Sequence, residues 1–151
     1  MTFWDKTAWL YDIAESLNPK AYSGMLKGIT AVVPEGAKVL DCAAGTGELS
    51  IAAAVKAESV LCTDMSLPML EKARKKCAEK EIKNISFGER DILHLPDGDN
   101  TYDVSIAGNV LHLLEEPEKA VRELCRVTKD GGRVIVPTFM AKNSNLLVKL
   151  Y

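Results

Sequence analysis

The chain has 151 residues, a length that suits one domain with a substantial buried core. Apolar residues make up 47% and charged residues 26%, and a formal net charge of −2 without a lysine/arginine stripe argues against a nucleic-acid or anionic-membrane surface. No apolar run approaches the roughly 18 residues of a membrane span, and Met1-Thr2-Phe3-Trp4-Asp5 lacks the basic-then-apolar order of a secretory leader, so the expected location is the cytoplasm.

From Phe3 to Val33 the sequence reads as two helices parted by Asn18-Pro19. In the second, Tyr22, Met25, Leu26, Ile29 and Val33 recur at three and four residues and form one apolar stripe. The first is rich in aromatics, with Trp4, Trp9 and Tyr11 beside Leu10 and Ile13. Packing on a sheet and covering a ligand are both open to it. Pro34-Glu35-Gly36 then closes the helix.

The next stretch organises the rest of the chain. A short apolar run, Val39-Leu40, ends in Asp41 and breaks into Cys42-Ala43-Ala44-Gly45-Thr46-Gly47, which leads into a helix from Leu49 to Val55. Strand, glycine turn and helix start in that order make a nucleotide-type cofactor site. Glycine lets ligand atoms approach the backbone, and Asp41 can accept from a cationic amine. The turn alone also nearly fits the dinucleotide pattern, whose third glycine would fall on Ser50.

A second apolar run, Ser59 to Asp64, again ends in an acid, about 20 residues after Asp41, the offset of a ribose-binding carboxylate. Ser66 is a plausible N-cap for a helix from Leu67 to Lys80, whose Met69, Leu70, Ala73 and Cys77 face inward. Asn84 to Gly88 reads as a third strand leading to Glu89-Arg90-Asp91-Ile92, and Tyr102 to Ala107 as a fourth leading to Gly108-Asn109. Glu116-Pro117 opens a helix that Lys129-Asp130-Gly131-Gly132 should end, before a fifth strand from Arg133 to Phe139. Alternating strands and helices predict an α/β fold, and right-handed crossovers give a Rossmann-like, doubly wound parallel sheet of order 3-2-1-4-5. Cys42, Cys62, Cys77 and Cys125 are scattered without a Cys-x-x-Cys pair, so neither a metal nor a disulfide is expected.

Asp41-Cys42-Ala43-Ala44-Gly45-Thr46-Gly47 resembles the Asp-x-Gly-x-Gly-x-Gly signature of class I S-adenosylmethionine-dependent methyltransferases, with Ala43 where the pattern has its first glycine. Tyr102-Asp103-Val104 with Leu111-His112 resembles a further stretch of that family, and the likeness is strongest to its quinone-biosynthesis and small-molecule group. The resemblance implies S-adenosylmethionine as cofactor, S-adenosylhomocysteine as product and a small-molecule methyl acceptor. It places Asp41 near the methionine amine, Ala43, Gly45 and Gly47 at the close approach, and Asp64 on the ribose with Met65 against the adenine. It sets Asp91 and Ile92 at the adenine edge, Tyr11 over the methionine end, and Ala107, Gly108 and Asn109 where the reactive methyl emerges. No catalytic residue is assigned; His112 could deprotonate an acceptor but more readily caps or packs a turn.

On this reading residues 1–36 form a helical cap, 37–140 the core and 141–151 the start of a helix cut short, with the family's last two strands missing. The exposed edge of the fifth strand then favours a homodimer. A non-catalytic cofactor-binding or assembly module is the alternative from another class. A nicotinamide-dependent oxidoreductase is disfavoured because no Tyr-x-x-x-Lys pair occurs.

Overall fold

The structure, a computed structural model, describes residues 19–138. The expected first helix with Tyr11, the short tail helix and the end of the last strand lie outside the described residues.

Five parallel strands form one sheet in the order β3-β2-β1-β4-β5, as the alternation of elements predicts. The strands are β1 (Lys38–Asp41), β2 (Ser59–Asp64), β3 (Ile85–Glu89), β4 (Tyr102–Ile106) and β5 (Thr128–Ile135). Helices α1 (Pro19–Val32), α2 (Glu48–Ala54), α3 (Leu67–Glu79) and α4 (Pro117–Val127) connect or flank them. Pro19 opens α1 where its missing N–H costs nothing. Ser66 caps α3 by accepting from the Met69 amide at 3.4 Å.

Successive strand residues point to opposite faces, so the pair Val39 and Leu40 divides the core in two. Val39 packs with Val60, Val104 and Ile106 under Met25 and Ile29 of α1 and Leu49, Ala52 and Ala53 of α2. Leu40 faces the other side, with Ala120, Leu124 and Val127 of α4. Cys62, on the Val60 side, meets Leu70 and Ala73 of α3. Each fully buried aliphatic side chain contributes roughly 1.5–3 kcal/mol. With both faces covered, the two central residues of β1, Val39 and Leu40, are both apolar.

The segment Lys129 to Gly132 behaves differently from expectation. Helix α4 ends earlier, at Val127: the backbone turns extended at Thr128, whose amide and hydroxyl (2.6 Å) both donate to the Leu124 carbonyl. The two glycines serve a bulge in β5 instead: Thr128 pairs with Tyr102 and Arg133 with Val104, leaving the intervening residues looped opposite Asp103. A Cβ at Gly132 would lie 2.7 Å from the Asp103 carbonyl and 2.8 Å from that of Lys129, so only glycine fits the bulge.

Glu123 and Arg126 of α4 fasten the loop between β3 and β4. Arg126 donates to the Leu95 and Asp97 carbonyls and to Asp99, while Glu123 accepts from the Leu95 amide at 2.8 Å and from Arg126. The guanidinium holds the Glu123 carboxyl down to about 2. That lowering stabilises the fold above the ordinary carboxyl range and is lost as the pH falls toward 2. Arg126→Ala is expected to speed amide exchange at Leu95 in hydrogen-exchange mass spectrometry while leaving β1 and β2 protected.

Candidate functional site

The carboxyl ends of β1, β2 and β3 surround a cleft of about 210 Å³, where ligands sit in doubly wound sheets. Its lining includes Ala43, Gly45, Asp64, Met65, Asp91 and Ile92 from the expected site residues. Met69, Arg90, Leu93, Val110, Leu113 and Leu114 complete it.

Hydrogen bonds fix the glycine turn from three directions. The Thr63 hydroxyl donates to the Asp41 carbonyl at 2.8 Å, and the Ala44 amide to the Thr63 carbonyl at 2.9 Å. Asp64 then does double duty: Oδ2 accepts from the Gly45 amide at 2.9 Å and Oδ1 from the Ser66 amide at 2.8 Å. Each carboxylate oxygen has a second lone pair, so Asp64 can still receive hydroxyl donors. On the outer side Lys76 of α3 donates to the Thr46 hydroxyl at 3.0 Å and pairs with Glu48 at 2.6 Å. The turn is thereby set before any ligand arrives.

Asp41 lies beneath the turn and is fully buried. Ser50 donates to its Oδ2 at 2.6 Å, whereas Oδ1 has no hydrogen-bond partner among the described residues. Burial, with the nearby Asp64 charge adding to it and the Ser50 hydrogen bond opposing it, pushes the Asp41 carboxyl up to about 7. A buried acceptor without a donor is costly and suits a cationic partner.

Of the other expected residues, Gly47, Ala107, Gly108 and Asn109 are not part of the cleft lining, and Gly47 differs from Gly45 in what it faces. Gly47 has φ +85°, and a Cβ there would sit 2.9 Å from the Ala73 Cβ, so this glycine brings α2 and α3 together. At Gly45, φ is +56° and a Cβ would meet nothing within 4 Å, which leaves the backbone open to a ligand. Ala107 is buried and its amide donates to the Ile135 carbonyl at 2.9 Å. Gly108 packs against Leu49, whose Cδ1 a Cβ would clash with, and the Asn109 amide donates to the Pro137 carbonyl at 2.8 Å. Tyr11 lies outside the described residues.

A family model described as a methyltransferase domain matches residues 34–149. Demethylmenaquinone methyltransferase of Paenarthrobacter aurescens is 35% identical over 141 residues, 91% of this chain and 54% of that protein. The ubiquinone/menaquinone biosynthesis C-methyltransferase UbiE of Pseudomonas aeruginosa is 34% identical over 149 residues, 93% of this chain and 58% of its own length. The chain belongs to the methyltransferase domain family. Among solved structures, a protein of Methanococcus maripaludis described as an S-adenosyl-L-methionine-dependent methyltransferase superposes with a TM-score of 0.79. It shares 25% identity, and the match covers 91% of this chain and 65% of that one. This methyltransferase domain thus spans little more than half the length of the curated relatives it matches.

The one departure from the glycine signature has a visible consequence in this methyltransferase domain. Ala43 adopts φ +52°, the left-handed region that costs a residue with a Cβ about 1–2 kcal/mol. Ala43→Gly is expected to raise stability by about 1 kcal/mol, read as a higher urea midpoint at unchanged slope. His112, in the turn Leu111–Leu113, is exposed and does not line the cleft. Burial pushes the Cys42 and Cys62 thiols well above their ordinary range, so both act as small apolar groups. No cluster of metal-ligating side chains occurs among the described residues. Sequence reasoning placed Met69 in the core, and it is both: buried under the sheet, yet part of the cleft lining. Arg90 and Leu93 gave no signal beyond their position beside Asp91.

Proposed function

We propose that this chain binds S-adenosylmethionine in the cleft and transfers its methyl group to a small-molecule acceptor. The observation that carries the reading is one cleft that combines the open backbone of Gly45, two carboxylates, Asp64 and Asp91, and apolar walls from Met65, Ile92 and Leu93. A nucleoside needs all three: an apolar slot for its base, an acceptor for the amine at the base edge, and a carboxylate for vicinal hydroxyls. The unpartnered Asp41 Oδ1 beneath the turn complements the positive end of an amino-acid moiety.

The bound cofactor supplies a methyl group on a sulfonium, which is already a good leaving group. The chain's own work is then positioning and water exclusion rather than proton transfer. Asp64 and Gly45 hold the ribose side, Asp91 and Ile92 the base, and Asp41 the amine. Val110, Leu113 and Leu114 close the far side and give the acceptor an apolar surface. The relatives named for menaquinone and ubiquinone biosynthesis make a quinone-type ring the acceptor to try first.

Calorimetric titration tests this. S-adenosylmethionine and S-adenosylhomocysteine should bind and NAD should not. Asp64→Ala should weaken both adenosyl compounds by at least about 100-fold, as expected when two hydroxyls lose a charged acceptor. Failure of the wild-type chain to bind either adenosyl compound overturns the proposal. Binding without transfer to demethylmenaquinone or a simpler quinol would leave a cofactor-binding module.

A further inference from the structure

The Asp91 carboxylate is not held by its own turn alone. Its Oδ1 accepts from the Leu93 amide at 2.9 Å, an Asx turn that fixes one oxygen. Its Oδ2 lies 3.2 Å from Nδ1 of His94, which the same turn brings back through a bond from the His94 amide to the Asp91 carbonyl at 3.0 Å. The chain of contacts continues into α4, where the Lys119 ammonium is 2.6 Å from the His94 Nε2.

These distances decide the imidazole's protons. An ammonium only donates, so Nε2 must be the accepting nitrogen. The ring proton then sits on Nδ1, which donates it to Asp91. The Asp91 carboxylate, which only accepts, favours the same tautomer from the other side of the ring. Lys119 therefore reinforces the tautomer that Asp91 favours, and His94 links the two.

We infer that His94, with its tautomer reinforced by Lys119, is a positioning residue that orients the Asp91 carboxylate for recognition of an amino group on the base of the bound nucleoside. The inference rests on the proposed cofactor reading, in which Asp91 meets the adenine amine. With each oxygen tied by one donor, the carboxylate plane is fixed and the remaining lone pairs accept from the ligand. A base that carries a carbonyl in place of the amine would present an acceptor to an acceptor and be refused. His94 and Lys119 thus contribute to discrimination between amino and oxo purines without touching the ligand.

The test compares S-adenosylhomocysteine with its deaminated counterpart, S-inosylhomocysteine, by calorimetry on the whole chain. Wild type should prefer the adenosyl compound. His94→Ala should weaken adenosyl binding about three- to tenfold, the worth of one lost orienting hydrogen bond, and narrow the adenosyl/inosyl ratio toward that of Asp91→Ala. His94→Gln, whose amide can donate to Asp91 and accept from Lys119, should restore both affinity and ratio. A merely structural histidine would not be rescued in the ratio. Nitrogen-15 NMR of the histidine ring gives a readout that needs no ligand: wild type should show Nδ1–H, and Lys119→Met should raise the Nε2–H fraction. An Nε2–H ring in wild type, or a His94→Ala chain with unchanged affinity and ratio, overturns the inference. If Asp91→Ala binds both compounds as wild type does, the Asp91 reading itself fails. If instead Asp91→Ala loses discrimination while His94→Ala keeps it, only the positioning role does.

Discussion

Gly47→Ala is expected to lower stability by about 3 kcal/mol, whereas Gly45→Ala should cost far less stability and act on the ligand. Both glycines sit in the left-handed region, with φ +85° and +56°, so each substitution carries the 1–2 kcal/mol backbone penalty of a Cβ there. They differ in what the Cβ would meet. At position 47 it would lie 2.9 Å from the Ala73 Cβ and 3.5 Å from the Ala73 Cα, with the Cys62 sulfur at 3.7 Å. Ala73 has no rotamer with which to yield and is fully buried, so α2 or α3 must move as a body. Overpacking of that kind adds roughly 1–3 kcal/mol. At position 45 nothing lies within 4 Å, and the new methyl projects into open space beside the cleft. Thermal unfolding should therefore drop by roughly 10 °C for Gly47→Ala and by a few degrees for Gly45→Ala. Titration with S-adenosylhomocysteine should show the reverse order for any Gly47→Ala protein that remains folded. Equal stability losses at the two positions would sink the distinction between a packing glycine and a ligand glycine.

That distinction also marks where the sequence stops being legible. The order of the sheet, the strand ends at Asp41 and Asp64 and the capped start of α3 all follow from local signals: apolar runs ending in acids, a serine before a helix, and strictly alternating elements. Local signals do not say which side of a turn faces a helix. Gly45 and Gly47 look alike as letters, and only the closeness of Gly47 to Ala73 separates them. Gly131-Gly132 failed as a helix stop for a similar reason. Helix α4 ends where Thr128 turns extended to pair with Tyr102, and the glycines are claimed by a bulge whose partner, Asp103, lies on another strand. Met69 reads as core by its helical spacing and is core, yet the cleft passes beside it. The Asp91–His94–Lys119 chain was out of reach because Lys119 comes from a helix distant in sequence, and nothing local points it at His94.

Asp41→Asn is expected to separate stability from ligand affinity, with the sign set by pH. The carboxyl is fully buried, accepts one bond from Ser50 and is pushed up to about 7 by burial. In the unfolded chain it titrates near its ordinary 3.8. Between those values the folded state holds a proton that the unfolded state has released, so stability falls as the pH rises. The slope is roughly 1.4 kcal/mol per pH unit, on the order of 4 kcal/mol across the window. Above pH 7 the fold carries a buried charge with one oxygen unpartnered. An asparagine has the same shape, can still accept from Ser50 and never ionises. The variant should match wild type near pH 5 in urea unfolding and exceed it near pH 8 by about 1–3 kcal/mol, the amide's own unmet donors taking back part of the gain. Ligand binding should move the other way. A cationic amine beside Asp41 favours the ionised carboxyl, so binding of S-adenosylhomocysteine to wild type below pH 7 should release a proton, visible as a buffer-dependent calorimetric heat. Asp41→Asn should lose that release and bind at least about tenfold more weakly at pH 8. A variant with wild-type affinity and no gain in stability at high pH would show that Asp41 is neither charged nor in contact with the ligand. The strain of holding a carboxylate under the glycine turn is, on this account, what the fold gives up to recognise an amine.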